Sequence, residues 1–168
     1  DGSFYAVEIK DNFAKLLQFD LSGQIITKSI NYPETILADM KLKWNERDQE
    51  VVVAATYGIS LEDVPENKLN SFYFRTQGLF LTSFDPVVLK EKSTIKIPLS
   101  GEVVIAITGK NNPVKLKGVE DLWIFDLFFP PKGSIVALLQ MHNRIYRDMI
   151  LMKIDTNGSS IQKDLQRA

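Results

Sequence analysis

The segment Leu16-Leu17-Gln18-Phe19-Asp20 returns twice along the chain, as Leu81-Thr82-Ser83-Phe84-Asp85 and as Leu151-Met152-Lys153-Ile154-Asp155. In each copy an apolar run ends in an aspartate and a turn, and the three aspartates are 65 and 70 residues apart. Self-similarity at a long, nearly fixed period is typical of a chain built from copies of one supersecondary unit, each needing a neighbour to bury its apolar face. We therefore expect the three aspartates at the ends of equivalent strands, with side chains that bond within their turns.

The sequence around these segments predicts short β-strands separated by turns. No stretch of about 12 residues or more has apolar residues at helical spacing, so we expect a predominantly antiparallel β structure with no helix longer than about three turns. Polar residues and turn formers predict exposed loops at Leu61–Asn70 and Gly109–Gly118. The predicted strands are Phe4–Ile9, Phe13–Phe19, Gln24–Ile30, Met40–Trp44, Glu50–Tyr57, Ile95–Ile97, Val103–Ile107, Leu122–Phe129, Ser134–Met141, Asp148–Ile154 and Ser159–Leu165.

Other similarities along the chain support the repeat. Ser71-Phe72-Tyr73 is similar to Ser3-Phe4-Tyr5, and each precedes one of the aspartate segments. The predicted hairpin Leu122–Met141 corresponds to Met40–Tyr57, and Asp148–Leu165 corresponds to Lys15–Ile30. We interpret residues 1–168 as a single repetitive β domain with units at roughly 1–70, 71–120 and 121–168.

A unit of about 65 residues with about four strands resembles a blade of a β-propeller. Phe129–Leu139 followed by Asp148–Gly158 is similar to the degenerate propeller-type repeats of bacterial extracellular proteins. The chain has neither a tryptophan-aspartate dipeptide nor a double-glycine kelch signature, so the resemblance points to no particular propeller family. It implies an all-β, propeller-like fold of antiparallel four-stranded units, either a partial propeller or a fragment. A β-sandwich or barrel is the alternative.

The number of units bears on assembly. Propellers close with about four to eight blades, whereas this chain holds two units and the start of a third. An open array leaves an unpaired strand edge and an exposed apolar face. We therefore expect the first strands (3–9, 15–19) and the last strands (149–154, 160–165) to pair with each other or with another chain. A lipocalin-like barrel suits the length, but the glycine-any-tryptophan signature of that family is missing near the start.

Composition excludes several partners and settings. With 20 basic and 21 acidic residues the net charge is −1, so no strong field attracts nucleic acid or an anionic membrane surface. The apolar runs, such as Val51–Thr56, are far shorter than the roughly 20 residues of a membrane-spanning helix. The resemblance implies a secreted or cell-envelope protein, while the lack of cysteine suits the cytoplasm equally. The start at Asp1-Gly2-Ser3 leads us to expect a processed form or part of something longer.

No pattern in the sequence predicts a catalytic, cofactor-binding or metal-binding residue. His142 is the only histidine, so one chain cannot assemble a catalytic triad or a site of several histidines, and we interpret it as a loop or surface residue. Asp155-Thr156-Asn157-Gly158 faintly resembles a calcium loop, but Gln162 and Lys163 stand where acidic ligands would be expected. A turn with a capping aspartate is the favoured interpretation.

The remaining candidates also have structural explanations. The acids that could serve glycoside hydrolysis, Glu62 with Asp63, Glu120 with Asp121, and Asp126, are interpreted as solvated loop residues. Trp44 and Trp123 occupy corresponding positions near the start of the paired hairpins, which favours core packing or stacking between units over a sugar platform. Lys110, Lys115 and Lys117 are interpreted as a solvated face.

Two classes of function follow from this pattern. The first is a non-catalytic binding or scaffold module that contacts a protein, peptide or glycan through loops on a β-repeat array. The alternative is a segment of an envelope-associated propeller hydrolase or lyase that acts on glycans with carboxylates. Carboxylates buried together in a channel would favour the enzyme. Self-association, or a larger parent chain that covers the terminal strands, is expected in either case.

Overall fold

A computed structural model describes residues 3–10, 13–32, 36–60, 74–99, 102–105, 114–117, 119–120, 122–141, 149–155 and 160–165. Over these residues the chain is all-β, and every pair of neighbouring strands is antiparallel. The described part of the chain holds no helix, and so none that could cross a membrane. The prediction of an antiparallel β structure without long helices is confirmed for these residues.

The strands form three sheets and a separate hairpin. Their bounds are β1 (Phe4–Lys10), β2 (Phe13–Phe19), β3 (Ile25–Asn31), β4 (Ile36–Asn45), β5 (Glu50–Ser60), β6 (Phe74–Phe84), β7 (Glu91–Pro98), β8 (Glu102–Ile105), β9 (Val114–Lys117), β10 (Val119–Glu120), β11 (Leu122–Phe128), β12 (Ile135–Met141), β13 (Met149–Ile154) and β14 (Ser160–Leu165).

Each sheet follows the order of the chain. The first sheet is the meander β1-β2-β3, the central sheet is β4-β5-β6-β7, and the last sheet is β11-β12-β13-β14. The short strand β10 also pairs with β6, next to the stretch of β6 that β7 covers. Strands β8 and β9 form a hairpin of their own. No sheet closes on itself among the described strands.

The burial pattern shows that the central sheet is covered on both faces. In β2 every second residue is buried, as expected for a strand with one face against a core. In β5, by contrast, all residues from Val51 to Gly58 are buried. A strand with both faces covered reads as a continuous apolar run. The dense valine and alanine run of β5 therefore reflects its place in the middle of the stack.

Two apolar cores hold the three sheets together. Val51, Val53 and Ala55 of β5 belong to the core that the central sheet shares with the first sheet, which also includes Ala14 and Leu16. Val52 and Ala54 point the other way, into the core shared with the last sheet. That second core is completed by Leu79, Leu81, Ile97, Leu99, Leu122, Ile124, Leu127, Ala137, Leu139, Met152 and Ile154.

The first strands of successive sheets are neighbours. Strand β4 contacts both β1 and β11, and β11 also contacts β5. The tight turns 20–24, 46–49, 85–90 and 129–134 lie together at one end of the stack, which we call the turn end. The Arg47 guanidinium links two of these turns by donating to the Gly133 carbonyl at 2.9 Å.

The three aspartates occupy corresponding places. Asp20, Asp85 and Asp155 each follow the strand that pairs with the last strand of its sheet, namely β2, β6 and β13. The side chain of Asp20 accepts the backbone N–H groups of Ser22 at 2.9 Å and Gln24 at 2.8 Å. These bonds confirm the predicted turn role for Asp20.

The other two aspartates differ in their partners. Asp85 Oδ1 accepts the N–H groups of Val87 at 2.9 Å and Val88 at 3.1 Å, which confirms its turn role. Asp155 accepts a hydrogen bond from the Ser134 hydroxyl, which precedes β12, so it links two turns. Residues 156–158, where the calcium-like pattern continues, lie outside the described residues.

The register identifies which strands correspond. The residue before each aspartate pairs with the start of the preceding strand: Phe19 with Phe4, Phe84 with Val51, and Ile154 with Ile135. Strand β1 therefore corresponds to β5 and β12, the second strands of their sheets. It follows that the first sheet has no described strand corresponding to β4 and β11.

Some predicted elements need correction. The stretch 109–118 is not all loop, because Val114–Lys117 forms β9 and pairs with β8. Strand β4 begins at Ile36 rather than Met40, with an irregularity in its pairing between Leu37 and Asp39. The predicted loop 61–70 lies outside the described residues. The predicted boundary between residues 70 and 71 falls between β5 and β6, which pair within one sheet.

Candidate binding clefts beside Trp44

Trp44 lies at the turn end, one residue before the end of β4. Its neighbour Asn45 is fully buried and donates to the carboxylates of Asp48 at 2.9 Å and Glu50 at 3.1 Å. These bonds hold the end of the strand, whereas the Trp44 side chain is 40% exposed. Because β4 is the first strand of the central sheet, Trp44 faces the junctions with both neighbouring sheets. It lines a cleft on each side.

The cleft between the central and last sheets has a volume of about 570 Å³. We call it the Trp44–Phe128 cleft. Its walls combine aromatic and apolar side chains with one cation and one anion. They are Lys43, Trp44, Glu46, Leu127, Phe128, Phe129 and Pro130.

Lys43, in the wall of this cleft, belongs to an ion pair. The Lys43 ammonium lies 2.8 Å from Asp126 Oδ1 and 6.0 Å from the centre of the Phe128 ring. Asp126 Oδ1 also accepts the Leu127 N–H at 2.8 Å. The hydrogen bond from Lys43 is the main reason why the pKa of Asp126 is below its usual value. Asp126 is therefore an anion engaged in joining β4 to β11.

Asp39 makes a second link between the same two strands. Its Oδ2 accepts the Ile124 N–H at 2.6 Å, and its own N–H donates to the Thr56 hydroxyl at 3.0 Å. Burial raises the pKa of Asp39, and the bond from Ile124 partly opposes that rise. Asp39 thus satisfies a backbone donor on the edge of β11 while its own charge is poorly solvated.

The cleft between the first and central sheets has a volume of about 510 Å³. We call it the Trp44–Tyr5 cleft. Besides Trp44 it is lined by Ser3, Tyr5, Leu42, Gln49, Val51 and Pro86.

Hydrogen bonds to one carbonyl fix the wall of the Trp44–Tyr5 cleft. The Pro86 carbonyl accepts the Tyr5 hydroxyl at 2.9 Å and Gln18 Nε2 at 3.0 Å. Burial raises the pKa of Tyr5, so the phenol stays a neutral donor at neutral pH. Gln18 Oε1 is buried and has no hydrogen-bond partner. An acceptor therefore lies behind the Tyr5 wall.

The structure corrects the interpretation of the two tryptophans. Neither is a core residue: Trp44 is 40% exposed and Trp123 is 48% exposed. Nor do they correspond, because Trp44 pairs with Val51 at the turn end, whereas Trp123 pairs with Gln140 at the far end of β11. The counterpart of Trp44 on β11 is nearer Phe128. The similar spacing in sequence thus hid a difference in position.

The other candidates have varied outcomes. Asp126 is half-buried in an ion pair rather than a solvated loop residue. His142, Glu62, Asp63, Asp121 and Lys110 lie outside the described residues, and for Glu120, Lys115 and Lys117 only the strand is described. Where the structure describes side chains, no aspartate or glutamate is fully buried, and no three metal-ligating residues cluster.

Sequence reasoning missed Asp39 and the clefts. Lys41 and Lys43 alternate with apolar residues in β4, and this pattern alone indicates one buried and one solvated face. It contains no signal that a second sheet packs beside β4.

No protein-family model, no curated protein and no solved structure matches the chain.

The two clefts offer aromatic faces beside hydrogen-bonding groups. Aromatic rings present apolar area with a polar rim, and they stack on sugar rings or on side chains of a peptide. The Lys43 ammonium and the Glu46 carboxylate can orient polar groups of such a ligand. This chemistry suits binding.

Proposed function

We propose that the chain is a non-catalytic binding module of propeller-like architecture whose turn end contacts a protein, peptide or glycan. The observation that carries the proposal is the exposed Trp44 side chain between two clefts. Binding residues on turns held by a rigid β scaffold are a common arrangement. A secreted or cell-envelope setting belongs to the same proposal.

The arrangement of the sheets supports the propeller-like part of the proposal. The central and last sheets are four-stranded meanders that run from their first strand outwards. The first strand of the central sheet contacts strands of both neighbouring sheets. Blades of a propeller are four-stranded sheets arranged around a central channel. The strand number and order of the central and last sheets support the interpretation of the sheets as successive blades.

Rigidity of the turn end supports the binding role. Arg47 donates to the carbonyls of Gly133 at 2.9 Å and Pro130 at 3.3 Å, and pairs with Asp48 at 2.8 Å. These bonds join the turns on both sides of the Trp44–Phe128 cleft. A preformed cleft binds with less loss of conformational entropy than one that must be ordered by its ligand.

A glycan hydrolase is the second candidate, and one observation favours it. Asp39 and Asp126 lie on neighbouring first strands, and their pKa values are shifted in opposite directions. Pairs of carboxyl groups shifted apart are typical of acid and base roles. Each of these groups, however, already bonds a structural partner, Ile124 or Lys43. We therefore rank binding above hydrolysis.

The test is ligand screening of the whole chain on an array of oligosaccharides and short peptides, followed by titration of the best probe. We expect Trp44→Ala to weaken binding about tenfold, since stacking on an aromatic ring contributes on the order of 1 kcal/mol. The matched control is Val87→Ala, because Val87 is 67% exposed but lines neither cleft. Equal affinity of Trp44→Ala and the parent protein would contradict the proposal. Turnover of a probe that Asp126→Asn abolishes would favour the hydrolase.

A further inference from the structure

The outer face of the first sheet carries apolar residues at positions that are buried elsewhere. Phe4 pairs with Phe19 just before Asp20, as Val51 pairs with Phe84 just before Asp85. Val51 and Phe84 are 0% exposed, because the first sheet covers them. Phe4, at the position of Val51, is 66% exposed.

In the last sheet, the residue before the aspartate is also buried, on the inner face. Ile154, which precedes Asp155, is 0% exposed in the core shared with the central sheet. In the central sheet and in the last sheet, the face that holds the residue before the aspartate is therefore the face that packs on the preceding sheet. In the first sheet this face, which we call the leading face, carries Phe4, Ala6, Leu17, Phe19 and Ile25.

The outer face of the last sheet is more exposed than the equivalent faces of the other two sheets. Leu16, Leu81 and Leu151 each stand four residues before an aspartate of the repeat. Leu16 is 0% and Leu81 3% exposed, since each packs on the following sheet. Leu151 is only half-buried. Its face, which we call the trailing face, also carries Leu138, Val136 and Trp123, of which Trp123 is 48% exposed.

We propose that the trailing face of one copy of this chain binds the leading face of a second copy. Both interfaces within the molecule join a trailing face to a leading face, first sheet to central sheet and central sheet to last sheet. Among the described strands, no sheet packs on the leading face of the first sheet or on the trailing face of the last sheet. A contact between copies continues the same packing, so the occupant of each open face is a sheet of the opposite kind.

The geometry of the strands agrees with an intermolecular contact. Among the described strands β1 pairs only with β2 and β14 only with β13, so the first and last strands do not pair with each other. A contact between unlike faces is heterologous and forms a ring when the rotation closes. On the propeller-like architecture proposed above, the three described sheets of each of two copies give six, which lies within the range of about four to eight blades at which propellers close. The expected assembly is a closed dimer.

Light scattering after size-exclusion chromatography tests the proposal on the whole chain. The parent protein is expected at twice the mass of one chain. Phe4→Asp places a charge on the leading face, and Trp123→Asp places one on the trailing face; each variant alone is expected to be monomeric. Mixed together, they retain one intact face each and are expected to form a dimer that contains one copy of each variant.

The controls separate this proposal from misfolding and from the function proposed for the clefts. Val87→Asp charges a side chain that is 67% exposed in a turn, and it should leave the dimer intact. Circular dichroism should show the same β spectrum for all variants, since Phe4 and Trp123 are both exposed. A monomeric parent protein, or a mixture of variants that stays monomeric, would overturn the proposal. Ligand binding at Trp44 is independent of these outcomes, because neither Phe4 nor Trp123 lines a cleft.

Discussion

Aspartate side chains have two different structural roles in this molecule. Asp20 accepts the Ser22 hydroxyl and N–H groups of its own turn, and these bonds lower its pKa below the usual value. Asp85 accepts two N–H groups of its turn, which lower its pKa in the same way. Asp39 accepts an N–H from another sheet, and burial raises its pKa. A turn aspartate is visible in the sequence, because its partners follow it within a few residues. The partner of Asp39 is 85 residues away and leaves no local signal.

The lowered pKa of Asp85 predicts a pH-dependent contribution to stability. Because the folded pKa is below the unfolded value of about 3.9, ionised Asp85 stabilises the fold above that pH, and the contribution is lost as the pH falls through the folded pKa. We expect Asp85→Ala to be less stable than the parent at pH 7 and to approach it below about pH 3. Urea unfolding at several pH values measures this difference.

The control for Asp85 is Asp85→Asn, which keeps an acceptor oxygen and removes the charge. Its stability should lie between those of the parent protein and Asp85→Ala at pH 7. A difference between Asp85→Ala and the parent that stays constant from pH 7 to about pH 3 would show that the carboxylate charge is not involved.

Gly78 is required for close packing in β6. A Cβ at this position would lie 2.6 Å from Tyr57 Cε1 and would also collide with the Tyr57 hydroxyl and the Ile97 carbonyl oxygen. The Tyr57 ring is held in place by Phe80, 4.6 Å away between ring centres. We expect Gly78→Ala to lower the free energy of unfolding by about 1–3 kcal/mol, as overpacking does. Thermal or urea unfolding measures the loss.

The double variant Gly78→Ala/Tyr57→Phe tests the cause of that loss. Removal of the hydroxyl leaves the collision with the Ile97 backbone, so the double variant should stay destabilised relative to Tyr57→Phe alone. Full stability of Gly78→Ala would mean that β6 and β7 separate without cost, contrary to the close approach at Gly78.

At the scale of elements, β4 and β11 are joined by polar contacts rather than by a ladder of backbone bonds. Asp39 bonds the Ile124 N–H near one end of the contact, and Lys43 pairs with Asp126 nearer the turn end. First strands of different sheets do not pair with each other. Side chains therefore satisfy groups that a continuous sheet would pair through its backbone.

The contact between β4 and β11 leads to a prediction for the stability of Asp39 variants. Its raised pKa means that ionisation disfavours the folded state, so this contribution lowers stability as the pH rises above the unfolded value of about 3.9. Asp39→Asn keeps an acceptor for Ile124 without the charge and should be at least as stable as the parent at pH 7. Asp39→Ala leaves the Ile124 N–H without its partner and should cost about 1–3 kcal/mol. Urea unfolding of the three proteins at pH 7 and pH 4 decides between them.

A strong destabilisation by Asp39→Asn at pH 7 would contradict this account, since it would show that the charge itself holds β11. The comparison of asparagine with alanine separates the hydrogen bond from the charge, because both variants lose the charge and only one loses the acceptor.

The sequence predicted elements better than their arrangement. Strands with clear alternation or dense β-branched residues, such as β2 and β5, were located within a few residues. The short strand β9 was missed, because Val114–Lys117 lies among turn residues and charges that predict a loop. The Trp44 clefts could not be predicted, since they form where turns of different sheets meet. The local sequence pattern is enough to predict a strand, whereas a cleft is created only by tertiary packing.

At the scale of the molecule, the repeat predicted a stack of similar sheets but not the residues at which each sheet begins. The aspartate spacing indicated equivalent strand ends, and the register agrees with this at all three aspartates of the repeat. The predicted units were counted from the first residue, whereas the sheets change at 32–36 and again before 122. A period in the sequence determines the distance between copies, and only strand pairing determines where a sheet begins.

The meander order of the sheets has a consequence for how the chain folds. Within the three sheets each strand pairs with the next strand along the chain, and β10 with β6 is the exception among the described pairs. Hairpins close short loops, so little entropy is lost before their first contacts form. We expect each sheet to form early as a local unit, and the docking of sheets, which brings together residues up to 86 positions apart at Arg47 and Gly133, to limit the rate.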